Sequence, residues 1–231
     1  MTASELLLDI YRIYRGKIDS RAPAWGSDKA NVAISIANRK QREWATDPRN
    51  KWNSLFENRA ITPVVDALTT PTLTYDLGTD FFAPSDFARV VKTDGSYVEY
   101  PVVKPQQRND SDQSLYIHGS NPKQVTFSQT IDTSLDGGTL YVPGYFLLAD
   151  ITDSTDVILV DDPNWLSYSV AAELARNDPA KDAEYPNIVG MANDLYSRMS
   201  NANNDVGYGQ PNAVNSFMPS VGSSTSEDWT A

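Results

Sequence analysis

The sequence predicts an α+β protein: a four-helix bundle with an antiparallel β-barrel or sandwich insertion between helices two and three, plus an extended C-terminal tail. Three observations predict it. Apolar residues recur at spacings of three and four in residues 1–60 and again in 161–204. Residues 61–160 instead break into short β-branched and aromatic runs punctuated by Pro, Gly and Asn, and residues 205–231 have no periodicity at all. The expected organisation is therefore a first bundle half over 1–60, a β insertion over 61–160, a second bundle half over 161–204 and an arm over 205–231.

Each element has a local reason. Thr2 and Glu5 have capping-box spacing, and Leu6, Ile10, Ile13 and Tyr14 follow at helical spacing until Gly16, which predicts a first helix over Ala3–Arg15. Ser27 or Asp28 can cap a second helix, in which Ala33, Ile36, Ala37, Lys40 and Trp44 share a face until Asp47-Pro48. Asp before Pro is itself a helix start. Trp52, Leu55, Phe56 and Arg59 keep the spacing, so the second helix is expected to break and resume.

Strands are expected over Thr72–Leu77, Arg89–Lys92, Tyr97–Val103, Ser114–His118, Gln124–Ile131 and Thr139–Leu148. Asp94-Gly95 between the second and third of these is a strong hairpin signal. Asp162-Pro163 then repeats the helix start, with Trp165, Tyr168 and Ala172 on one face and Asn177-Asp178-Pro179 as the stop. A last helix begins near Pro186 and carries Ile188, Met191, Leu195, Met199 and Ala202. The stretch Gly138–Arg176 is thus where the β region hands the chain back to the helices.

Composition narrows the function classes. With no Cys and a single His, thiolate chemistry, disulfides and histidine-rich zinc sites are excluded. Neither a membrane span nor a secretory signal is expected, since acids flank the N-terminal apolar residues and no long apolar run occurs. The net charge is −11, unevenly spread. Residues 1–60 carry eleven Lys/Arg against seven Asp/Glu, residues 61–204 eight against twenty, and residues 205–231 none against three. So acidic a chain is a poor ligand for free nucleic acid. It would suit a surface past which DNA must slide without sticking.

Few residues invite chemistry. Asp150, Asp153, Asp156, Asp161 and Asp162 could hold calcium or act as acid and base, but their spacing is not that of an EF-hand loop, and turn and cap roles account for them. His118 ends a candidate strand with no nucleophile legible beside it. Gly137-Gly138 and Gly207-Tyr208-Gly209 lack the strand–glycine–helix context of a phosphate loop. No catalytic residue, cofactor or metal site is expected. The basic cluster Arg39, Lys40 and Arg42 reads equally as a solvated helix face or as a surface for DNA or an acidic neighbour, and the acidic middle of the chain suits contact with a neighbouring subunit.

One resemblance is carried by the order of elements and the composition at their junctions. Leu73-Thr74-Tyr75-Asp76-Leu77, Asp80-Phe81-Phe82-Ala83-Pro84, the Asp94-Gly95 hairpin, and Asp161-Asp162-Pro163-Asn164-Trp165-Leu166 leading into Ala171-Ala172-Glu173-Leu174-Ala175 carry it. Together they resemble the head-to-tail adaptor (connector) proteins of tailed bacteriophages, in the variety with a β insertion. The resemblance covers about residues 3–204. It implies a structural virion protein of the neck, assembled in the host cytoplasm. Such a protein forms a homo-oligomeric ring, commonly twelve-fold, between the portal protein and a tail, nozzle or stopper component. DNA passes through its lumen without specific binding. The C-terminal arm, with Tyr208, Phe217, Met218, Val221 and Trp229, would insert into the portal. A tail-completion or stopper protein one layer below shares most of these features. A receptor- or carbohydrate-binding β module would instead need Trp and Tyr on a sheet face, whereas Trp25, Trp44, Trp52 and Trp165 lie in or beside helices.

Overall fold

In a computed structural model, residues 1–18, 20–61, 73–107, 113–120, 122–129 and 131–206 are described. The protein is α+β, with four helices and a curled mixed sheet that forms a half-barrel. Helix α1 (Ala3–Arg15) starts at the expected capping box: the Glu5 N–H donates to Thr2 Oγ1 while the Thr2 N–H donates to Glu5 Oε2 at 2.7 Å. Helix α2 (Asp28–Ala45) is capped by Ser27, and α3 (Pro163–Arg176) by Asp162, whose carboxylate accepts from the Asn164 N–H. Helix α4 (Tyr185–Val206) is the longest. The sheet lies between α2 and α3 in the chain.

Helix α3 is central, with α1, α2 and α4 packed on it. Its alanines, Ala171, Ala172 and Ala175, let α4 approach closely through Ile188. Leu6, Leu7, Ile10, Ala33, Ala37, Trp44, Leu166 and Val170 are buried among the helices. Each large apolar side chain removed from water there contributes about 1.5–3 kcal/mol.

The strands are β1 (Phe56–Ile61), β2 (Thr74–Asp76), β3 (Phe81–Pro84), β4 (Phe87–Val91), β5 (Tyr97–Val103), β6 (Leu115–His118), β7 (Gln124–Phe127) and β8 (Thr139–Phe146). Their order is β1-β8-β4-β5-β6-β7-β2, with β3 also paired to β8. The expected Asp-Gly hairpin joins β4 to β5. A second core of Leu77, Phe81, Val90, Leu115, Val125, Leu140, Val142 and Phe146 fills the curl.

Three expectations change. The sheet is mixed, not antiparallel throughout, because β5 and β6 run parallel in the register Val102–Leu115. The connection after Val103 is long enough for a crossover, where a two-residue turn would force a hairpin. The second helix does not resume after Pro48: Asn53–Leu55 is a single 3-10 turn, and Phe56 opens β1 opposite Tyr145. Trp52 and Leu55 point into the helical core and mimic a helical face, but the hydrogen bonds that decide the matter come from β8, more than eighty residues away. Strand β3 is also present where no strand is expected. It lies against Gly144, where an added Cβ would sit 2.7 Å from the Ala83 carbonyl oxygen, so the pairing depends on that glycine.

Candidate functional site

The sheet meets the helices at two crossings of the chain. In the first, residues 46–55, Trp44 and Trp52 stack at 4.8 Å between centroids, and the Trp52 indole N–H donates to the Trp44 carbonyl at 2.7 Å. Both rings are 1% exposed. Tyr196 of α4 closes the group edge-on and donates its hydroxyl to Asp47. Asn50 donates to the Tyr196 hydroxyl and accepts from Ser200, while Asn203 accepts from the Asn53 N–H and donates to the Lys51 carbonyl. Asp47 also takes a bidentate fork from Arg49. These bonds, the Arg49 fork foremost, hold its carboxyl far below the usual carboxylate range against the opposing effect of burial.

The second crossing, residues 147–162, runs as a strap over α1 and α2. Asn38 of α2 grips it in both directions, donating to the Ile151 carbonyl at 3.1 Å and accepting from the Ile151 N–H at 2.8 Å. Gln41, 2% exposed, donates to the Ala149 carbonyl at 2.8 Å, and Arg42 forks onto Asp150. At the start of α1, the Ala3 and Ser4 N–H groups donate to the Asp156 and Ser154 carbonyls. Two of the free donors of the first helical turn are thereby satisfied by the strap, and a third by Thr2 Oγ1.

The candidate chemistry resolves into structure. Asp153 accepts from Thr155, and Asp156 accepts from the Thr152 and Asp153 N–H groups, which keeps both carboxyls below their ordinary range. With Asp150 paired and Asp162 capping α3, the aspartates serve turns, a cap and an ion pair. Asp161 is exposed. Among the described residues no group of carboxylates and histidine is placed to hold a metal ion. His118 Nε2 lies 2.8 Å from Thr126 Oγ1, which in turn bonds Thr74 Oγ1, a link across three strands.

Neither a known protein family nor any curated protein matches the chain.

Arg39, Lys40 and Arg42, read from the sequence as subunit contacts, all have partners within the chain. Arg39 and Lys40 meet Glu173 of α3 and Glu43, and Arg42 meets Asp150. The arm residues Tyr208, Phe217, Met218, Val221 and Trp229 lie outside the described residues. Sequence reasoning missed the Asp47–Tyr196–Asn50–Asn203 network. The only signal was the density of asparagine in 50–53 and 201–204, too common in loops to be read.

Two of the exposed apolar patches among the described residues lie near the ends of α1. Beyond α1, the turn after Gly16 lifts Ile18 into solvent at 85% exposure, beside Arg15, Lys17 and Arg21. On the outer side of the strap, Leu148, Val157 and Leu159 line a hollow of about 360 Å³. Val157 and Leu159 are 63% and 60% exposed there.

Proposed function

We propose that this chain is a structural subunit of a phage neck: a head-to-tail adaptor that assembles as a ring between portal and tail and lets DNA pass through its lumen. In this reading the four helices form one bundle interrupted by the β insertion, with the bundle toward the portal and the sheet toward the tail. The observation that carries the reading is the pair of anchored crossings. An adaptor must present two interfaces at a fixed angle, and a sheet tied to helices at both of its chain connections provides that. The charge distribution supports it, since a lumen of like charge to DNA does not retain it. The residues 207–231, rich in Gly, Asn and Ser with spaced apolar anchors, suit an arm that orders on its partner.

Negative-stain imaging of the purified protein mixed with portal rings from the same phage tests this. The expected result is an added ring on one face of the portal, lost when residues 208–231 are deleted. Unaltered portal rings beside free subunits would overturn it.

A further inference from the structure

We propose that two copies of this chain join front to back, the Ile18 turn of one seated in the Leu148–Val157–Leu159 hollow of the next.

The turn is a built knob. Gly16 ends α1 in the left-handed region, at φ +66°, and the chain is then held by side chains: Arg12 Nε donates to the Ile18 carbonyl at 3.1 Å, and Arg15 Nη1 to the Arg21 carbonyl at 3.2 Å. An exposed isoleucine on so braced a turn loses little further freedom on docking. Lys17 and Arg21 have no carboxylate partner among the described residues, so the knob offers cations around an apolar tip. Asp19 lies outside the described residues.

The hollow is its counterpart. Its apolar wall is bordered by Asp150 and Asp156, with Asp153 next in the chain after the lining residue Thr152 and Asp161 two residues after Leu159. Asp150 shares its charge with Arg42, but Asp153, Asp156 and Asp161 meet no basic side chain among the described residues. Cations around an aliphatic tip thus face carboxylates around an aliphatic hollow. A phosphate backbone would answer the cations but leave Ile18 in water, which is why a protein partner is favoured.

The placement makes the contact heterologous. The strap is bonded to the first turn of α1 and the knob leaves its last, so the two patches lie at opposite ends of a helix about 20 Å long. No chain can satisfy itself, and each copy keeps one patch open for the next. The contact stands on these two patches; that it closes into a ring rests on the adaptor reading above.

The test uses the full chain with Ile18→Asp, which removes the knob, and Leu159→Asp, which spoils the hollow. Both positions are exposed, and circular dichroism melts check that the variants fold. In sedimentation velocity, wild type is expected to form species larger than dimers that dissociate as salt is raised. Each variant alone should associate at least about thirtyfold more weakly, as loss of a central interface anchor does. Their equimolar mixture should form dimers and stop, because one intact knob meets one intact hollow. Variants that assemble like wild type, or folded variants whose mixture stays monomeric, overturn the contact. So does a Lys17→Glu/Arg21→Glu chain that loses duplex DNA binding in fluorescence anisotropy while self-association is unchanged. If Ile18→Asp still rings the portal in micrographs, this contact fails and the adaptor reading survives. If wild type neither self-associates nor docks, both fail.

Discussion

The two crossings solve one problem with opposite means. The first, over residues 46–55, is short, and most of its anchors are buried: an indole stack, a tyrosine and an amide ladder lock it to α4. The second, over residues 147–162, is long and outward-facing, held by α2 amides and by the backbone of α1. The first turns its large apolar side chains, Trp52 and Leu55, inward and shows solvent only polar residues and Pro48. The second holds the fold with its inner edge and leaves Val157, Leu159 and several carboxylates exposed on its outer edge. If the proposed contact forms, the second crossing must stay partly exposed to make it.

That difference can be broken from either side. Trp52→Ala should have the largest effect, destabilising by about 3–5 kcal/mol, because it leaves a cavity against Trp44 and strands the α4 network. Equilibrium denaturation in urea measures it.

Asp47→Asn comes next, at about 1.5–3 kcal/mol near neutral pH, the worth of charge-assisted hydrogen bonds. Its pH dependence is specific. Because the folded-state carboxyl is held below its ordinary range, its contribution is complete above the unfolded value near 4 and fades as pH falls through the folded one. The gap between wild type and Asp47→Asn, followed by thermal melts, should therefore narrow below about pH 4 and stay constant above pH 6.

Asn38→Ala should cost about 1–2 kcal/mol, since two strap bonds are lost but water can reach the strap. Hydrogen exchange at the Ile151 amide should speed up while exchange around Trp52 is unchanged. Coupled loss at both crossings would show that they are one unit.

Arg42→Ala should have the smallest effect on stability, below about 1 kcal/mol, because the pair with Asp150 is half exposed. It also frees the Asp150 charge at the rim of the hollow. Self-association measured by sedimentation should therefore tighten although the monomer is slightly weaker.

Much of the helical architecture was legible. The Thr2–Glu5 box, Gly16, Ser27 and Asp162-Pro163 act through bonds within four residues, so their roles follow from spacing. The β4–β5 hairpin was legible for the same reason. What failed was non-local. Phe56–Ile61 kept a helical beat until β8 claimed it, and β3 depends on the space left by Gly144. The basic residues were visible as a cluster, but Arg39 and Lys40 reach Glu173 and Arg42 reaches Asp150, all more than a hundred residues onward. Lys17 and Arg21 are among the cations with no ion pair among the described residues, and nothing in the local sequence separates them from the paired ones.

The sequence by itself determined where α1, α2 and α3 begin and where α1 ends, the tight β4–β5 turn, the absence of cysteine chemistry and the uneven charge, because each depends on neighbours in the chain or on composition alone. The tertiary structure decided the strand order, the parallel pairing of β5 with β6, the locking of 46–55 onto α4 and which charges remain free. Those depend on which distant groups arrive within about 3 Å of one another, and a hydrogen bond of that reach is set by packing, not by spacing along the chain.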